Sequence, residues 1–106
     1  MPSDHHFLIN GCRWLWRYTR LRGGAAGWTF MKDPKNQSIN ERVLIDSRLS
    51  GRSRLETEIH EFLHAANPTH SEEHVTQQGR DLARILWCLG YRLKEGAAND
   101  SKSGVA

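Results

Sequence analysis

The strongest constraint on the fold is a helical repeat of apolar residues over residues 54–66 that stops at a proline. The apolar positions of this repeat are Leu55, Ile59, Phe62, Leu63 and Ala66, and they fall on one stripe of a helix. The dipeptide Asn67-Pro68 ends the pattern, because the residue before a proline disfavours the helical conformation. The sequence therefore predicts a helix that buries this stripe against another element.

The same helix carries His60, Glu61 and His64 in the pattern His-Glu-x-x-His. Residues four apart lie one above the other on a helix, so both imidazoles can be directed at a single metal ion. At about 100° per residue, the two histidines lie beside the apolar stripe rather than within it. Glu61 projects alongside them, where its carboxylate can act on a metal-bound water. The alternative is that the histidines are simply polar residues on a half-exposed helix.

A second helix is predicted after the proline. Ser71 is suited to cap its N-terminus, and the two glutamates that follow are favoured by the positive end of the helix dipole. Its apolar stripe consists of Val75, Leu82, Leu86 and Leu89. Gly90 is expected to end the helix, because glycine readily adopts the left-handed conformation found after a helix C-terminus.

Catalytic zinc normally has three protein ligands and an open position for water, so a third ligand is needed. Its candidates are Glu72, Glu73, His74 and, in the loop, His70. With Val75 as the reference and about 100° per residue, Glu72 lies about 60° from the apolar stripe, Glu73 about 160° and His74 about 100°. Glu72 is therefore the predicted third ligand, with Glu73 as the alternative and the histidines after them. Otherwise the two glutamates would only complement the helix dipole.

The N-terminal half of the chain predicts β-strands. Residues 7–9 and 12–18 flank Asn10-Gly11, the preferred dipeptide of a two-residue hairpin turn. A short strand over residues 28–31 and an apolar strand over residues 39–46 follow. The expected fold class is α+β, with an N-terminal antiparallel β-meander followed by two helices. We expect one domain over residues 1–94 and a disordered tail over residues 95–106, which are small and polar.

Composition limits the classes of partner. The 106 residues carry a net charge of +3 and have no apolar run near the 18 residues of a membrane span. The N-terminus lacks the pattern of a secretory signal, and two isolated cysteines, Cys12 and Cys88, are typical of reduced thiols. We therefore expect a cytoplasmic protein with no membrane partner, and the sequence leaves its oligomeric state open.

Residues 59–64 and the run Glu72-Glu73-His74-Val75 together resemble the small zincin metallopeptidase domains. These include the SprT-like and ImmA-like domains and compact gluzincin relatives encoded by phages and prophages. The resemblance implies a peptidase that acts on peptide or protein substrates, with Zn²⁺ held by His60, His64 and Glu72. It also implies that Glu61 is the general base and that the strand at residues 43–46 is the edge strand bordering the cleft.

Two alternative functions belong to other classes. One is a zincin-like, metal-bound module that binds a partner protein without hydrolysis. The other is a small nucleic-acid-binding protein that uses the hairpin, where arginines alternate with aromatic residues that could stack on bases. These residues are Arg13, Arg17, Arg20 and Arg22, with Trp14, Trp16 and Tyr18. An amphipathic strand with one solvated face would give the same pattern, and nucleic acid is the less favoured partner.

The sequence does not select the groups that would assist the metal and its base. An oxyanion could be stabilised by Tyr91, Arg92, His70 or His74. An imidazole ligand could be oriented by a carboxylate, for which Asp46 and Asp81 are candidates.

Overall fold

The computed structural model describes residues 3–32, 35 and 40–94. Its elements are β1 (Ser3–Ile9), β2 (Cys12–Thr19), β3 (Gly27–Phe30), β4 (Arg42–Asp46), α1 (Gly51–Ala66) and α2 (Glu72–Cys88). The predicted α+β class, with strands followed by two helices, is confirmed. The predicted tail over residues 95–106 and the expected strand start at residue 39 lie outside the described residues. In the described part, no helix has the length and apolar character needed to cross a membrane.

The β1–β2 hairpin forms around the turn that the sequence predicts. Asn10 and Gly11 both have positive φ angles, 52° and 79°, as a type I′ turn requires. Ile9 pairs with Cys12 across the turn, and the antiparallel ladder extends to Ser3 opposite Tyr18. β1 is therefore longer than the three residues expected from its apolar run.

The strand order is β1-β2-β4-β3, which differs from the expected antiparallel meander. β4 lies between β2 and β3, parallel to β2 and antiparallel to β3. The reason lies in burial: Val43 and Ile45 of β4 are fully buried, so the most apolar strand occupies the centre of the sheet. The expectation that this strand forms the edge of a cleft was wrong, because the short β3 occupies the edge beside it.

One face of the sheet packs against α1 and forms the core. Trp14 and Trp16 of β2 share this face with Val43 and Ile45 of β4, and Ala65 of α1 packs against them. α1 begins at Gly51, three residues before the expected start at residue 54, and ends at Ala66 before the proline. The core therefore fixes α1 across the sheet near β3 and β4.

α2 follows α1 after a short turn, with the start that the sequence predicts. The Ser71 hydroxyl accepts a hydrogen bond from the backbone N–H of His74 at 3.1 Å, which makes Ser71 the N-cap. Val75, Gly79 and Ala83 are the buried residues of the helix. Gly90, with a φ angle of 96°, follows its C-terminus.

Candidate metal centre and cleft

His60, His64 and Glu72 converge at one point between α1 and α2. The Nε2 atoms of the two histidines are 3.1 Å apart. Glu72 Oε1 lies 2.7 Å from His64 Nε2, and its Oε2 lies 3.1 Å from His60 Nε2. The structure thus brings together the two motif histidines and the glutamate that helix phase ranks first.

These donors fit a divalent metal ion in number, chemistry and spacing. Among the described residues, they are the one group of three or more candidate donor atoms that lie within 4.8 Å of one another. A tetrahedral ion with bonds of about 2.0–2.2 Å holds neighbouring donors about 3.3–3.6 Å apart. Side-chain movements that widen these distances by less than an ångström would therefore accommodate it.

The charge state of Glu72 suits a cation. Burial raises the pKa of this carboxyl, but His60, His64 and the Thr76 hydroxyl outweigh that effect and hold the pKa below its ordinary value. Thr76 Oγ1 donates a hydrogen bond to Glu72 Oε2 at 3.3 Å. The side chain of Glu72 is 68% exposed, so the site opens to solvent and its third donor is an ionised carboxylate.

The other candidate ligands do not join this group. Glu73 is exposed on the first turn of α2. His70 and His74 are also exposed, and their rings contact each other edge to face with centroids 4.7 Å apart. None of the three lines the cleft that contains the two motif histidines.

Glu61 is buried, with only 7% of its surface exposed, and faces β3. The hydroxyl of Thr29 lies 2.6 Å from Glu61 Oε1 and 3.1 Å from the Glu61 carbonyl oxygen. Gly27 is equally close, since a Cβ atom at this position would lie 2.8 Å from Glu61 Cγ. The side chain of Glu61 therefore lies in a space bounded by two residues of β3.

An open cleft of about 490 Å³ contains the three converging donors and Glu61. One wall is formed by β3 and Met31, and the other is formed by His60, Glu61, His64, Pro68 and Glu72. Because β3 is an edge strand, this cleft has a sheet edge along one side. A cleft bordered by a strand was expected, but the strand is β3 rather than β4.

The oxyanion candidates that follow α2 lie away from the cleft. The Arg92 guanidinium stacks 3.4 Å from the ring centroid of Trp87 and donates to the Trp87 carbonyl. Tyr91 is exposed in a separate pocket near the C-terminal end of α2. Neither residue lines the cleft in the part of the chain that the structure describes.

The two carboxylates that were candidates for orienting an imidazole ligand have other partners. Asp46 pairs with Arg48 at 2.6 Å. Asp81 accepts hydrogen bonds from Gln77 and Arg84. Neither carboxylate is hydrogen-bonded to a motif imidazole among the described residues, so the structure does not link them to the metal centre.

The two tryptophans of the hairpin lie inside the protein, whereas Phe7 of β1 is 47% exposed. Trp14 and Trp16 are 3% and 8% exposed, and Tyr18 donates a hydrogen bond to Glu58 of α1. Arg17, on the opposite face, forms a bidentate ion pair with Asp4. The rings of both tryptophans are therefore covered and are not available at the surface for stacking on bases.

Sequence reasoning missed Gly27 and Thr29. The short third strand was expected, but no local pattern links it to Glu61, which lies 32 residues after Thr29. The one available signal is a glycine and a threonine at alternate positions, which places both on the same face of a strand. In comparisons with family models, curated proteins and solved structures, none matches this chain.

Proposed function

We propose that this protein is a zinc-dependent metallopeptidase related in design to the small zincin domains. The observation that carries the proposal is the convergence of His60, His64 and Glu72 in the same cleft as the buried Glu61. Two imidazoles and a carboxylate are a ligand set typical of catalytic zinc.

The two exposed cysteines form no disulfide, which supports a place in the cytoplasm.

The chain supplies both the ligands and the base for hydrolysis. Bound zinc would lower the pKa of a coordinated water towards about 7 and polarise the scissile carbonyl. His60, His64 and Glu72 would hold the ion at the open side of the cleft. Glu61 accepts a proton from the attacking water and delivers it to the leaving amine, which is the work of a general base and then a general acid.

Among the described residues, no strand pairs with the outer edge of β3, which supports an extended peptide as the substrate. The backbone N–H of Asp46 donates to the Ala26 carbonyl at 2.8 Å. Because hydrogen-bonded pairs alternate along an antiparallel ladder, Trp28 and Phe30 direct their backbone groups toward β4, whereas Gly27 and Thr29 direct theirs outward. A peptide could pair with those outward-facing groups, which gives affinity with little dependence on its sequence.

Metal content of protein purified without added metal or chelator is the first test. We expect about one zinc per chain in the wild type and none in His60→Ala. Glu72→Ala should lose the zinc, whereas Glu73→Ala, which changes a neighbouring exposed carboxylate, should retain it. Retention by Glu72→Ala with loss by Glu73→Ala would assign the third ligand to Glu73.

Hydrolysis is tested with a fluorescently labelled unfolded protein such as casein. We expect cleavage by the zinc-loaded wild type and none by Glu61→Gln at the same zinc content. If Glu61→Gln also lost the zinc, its assignment as base rather than ligand would be wrong. Stoichiometric zinc with no cleavage of any peptide would instead favour the metal-bound module that binds partners without hydrolysis.

A further inference from the structure

The carboxylate of Glu61 is tied to the edge strand by a short hydrogen bond. Thr29 Oγ1 is 2.6 Å from Glu61 Oε1 and 3.1 Å from the carbonyl oxygen of the same residue. A hydroxyl has only one proton to donate, and the shorter contact is to the carboxylate. A separation of 2.6 Å is at the short end of the range for O–H···O hydrogen bonds, so the hydroxyl is held firmly against the carboxylate.

Gly27 limits the same side chain by shape. A Cβ atom at this position would lie 2.8 Å from Glu61 Cγ, 3.1 Å from Glu61 Oε2 and 3.0 Å from Thr57 Cγ2. Real Cβ atoms essentially never approach another atom to 2.8 Å, and the other two distances are tighter than most real contacts, so the side chain of Glu61 occupies the space that residue 27 leaves open. The glycine is required here by close packing, since its φ angle is not positive.

A free glutamate side chain rotates about three bonds and loses that freedom only when its surroundings hold it. Here the surroundings are Thr29 on one carboxylate oxygen and Gly27 against the methylene groups. We propose that Thr29 is a positioning residue for the general base, which it holds through its hydroxyl, and that Gly27 shapes the space for it. This inference rests on the proposed peptidase function and names the residues that would orient its base.

The geometry separates positioning of the base from binding of the substrate. The side chain of Thr29 faces Glu61, while its backbone N–H and C=O belong to the free edge of β3. Replacement by valine removes the hydroxyl and leaves the backbone edge in place. Turnover should therefore fall while substrate binding stays the same, because small misplacements of a catalytic group cost rate.

The test compares Thr29→Val with Thr29→Ser, which restores a hydroxyl at the same position. We expect both to hold about one zinc per chain. Thr29→Val should keep KM for labelled casein within about twofold and lose about 10–100-fold in kcat. Thr29→Ser should keep kcat within about threefold of the wild type.

A readout that needs no turnover is the binding of acetohydroxamate by calorimetry. A hydroxamate chelates the ion through two oxygens and donates a hydrogen bond to a carboxylate placed as the base. We expect binding to weaken at least tenfold in both Glu61→Gln and Thr29→Val, and to stay near the wild-type value in Thr29→Ser.

The outcomes distinguish this inference from the proposed function. A zinc-loaded wild type that binds no hydroxamate and cleaves nothing would contradict the peptidase itself. The role of Thr29 would be overturned by a different result. In that case the wild type binds hydroxamate and cleaves casein, and hydroxamate binding and kcat fall in Glu61→Gln but not in Thr29→Val. If Thr29→Val fails to fold, Thr29→Ala takes its place. Unfolding of both would make the contact a requirement of the fold and would count against positioning.

Discussion

Gly79 of α2 lies directly against the backbone of His60 in α1. A Cβ atom built on Gly79 would lie 3.5 Å from His60 Cα and 3.6 Å from His60 Cβ, which is ordinary van der Waals contact. The two helices thus approach each other closely at the first residue of the motif. Their separation determines whether Glu72, two turns earlier on α2, reaches the imidazoles.

Replacements of Gly79 should separate the steric effect of a side chain between the helices from the effect of glycine on helix stability. Gly79→Ala fits the available distance and removes a helix-interior glycine, so we expect unchanged zinc affinity and up to about 1 kcal/mol more stability. Gly79→Leu forces a larger side chain between the helices, which should cost about 1–3 kcal/mol and weaken zinc binding. Urea unfolding and zinc titration measure both effects. Wild-type zinc affinity in Gly79→Leu would show that helix separation does not control the site.

Removal of the metal should destabilise the fold, because the three donors come from two helices. An ion held by His60 and His64 of α1 and Glu72 of α2 would link two elements that otherwise meet through packing and through the contacts of Glu72 with the imidazoles. At free zinc about 1,000 times Kd, the linkage stabilises the native state by about 4 kcal/mol. For a chain of this size we expect a chelator to lower Tm by more than about 10 °C.

The control for the chelator experiment is His60→Ala, which lacks one ligand. Its Tm should not depend on zinc or on the chelator. An equal response from this variant would indicate that zinc acts elsewhere on the protein, and would separate the stability effect from the site between the helices.

Helical periodicity accounts for what the sequence could predict of the site. Each residue advances a helix by a fixed angle, so the phase of Val75 was enough to rank Glu72 above Glu73 and His74. The cap at Ser71 fixed the start of that phase within one residue. Local patterns therefore contained the motif face, the second helix and the glutamate that the structure places beside the motif.

Strand order and the contact with Glu61 were not predictable in the same way. A strand pattern specifies which face is buried but not which neighbours supply the hydrogen bonds. β4 lies inside the sheet, where Val43 and Ile45 are fully buried. The contact between Thr29 and Glu61 joins residues on different elements. Nothing in the periodicity of either segment encodes such a pairing, which depends on how α1 crosses the sheet.

Gly27→Ala tests how closely β3 fits the base. The added methyl would lie 2.8 Å from Glu61 Cγ, so either the glutamate or the strand must shift. We expect zinc to be retained, hydrolysis to fall at least tenfold, and stability to drop by about 1–3 kcal/mol. Gly79→Ala is the matched control, since it adds a methyl against the same motif helix at an ordinary distance. Full activity in Gly27→Ala would show that Glu61 does not depend on this space.

The pH dependence of stability should show the contribution of Asp46, which ends β4. Its carboxylate accepts from the Arg48 backbone N–H at 3.1 Å and from Arg48 Nη2 at 2.6 Å. Arg48 also donates to the Leu21 carbonyl at 3.0 Å, so this pair ties two loops together. The hydrogen bonds from the Arg48 side chain and backbone lower the pKa of Asp46 from 3.8 to about 2.

A pKa lowered by folding means that the stabilisation is present above the unfolded value of 3.8 and is lost as pH falls through about 2. Asp46→Asn should therefore unfold at lower urea than the wild type at pH 7, and this difference should shrink between pH 4 and pH 2. Asp81→Asn, at an exposed pair with Arg84, is the control and should change stability little at any pH. A gap between Asp46→Asn and the wild type that stays constant from pH 7 to pH 2 would mean that Asp46 stabilises the protein through packing rather than charge.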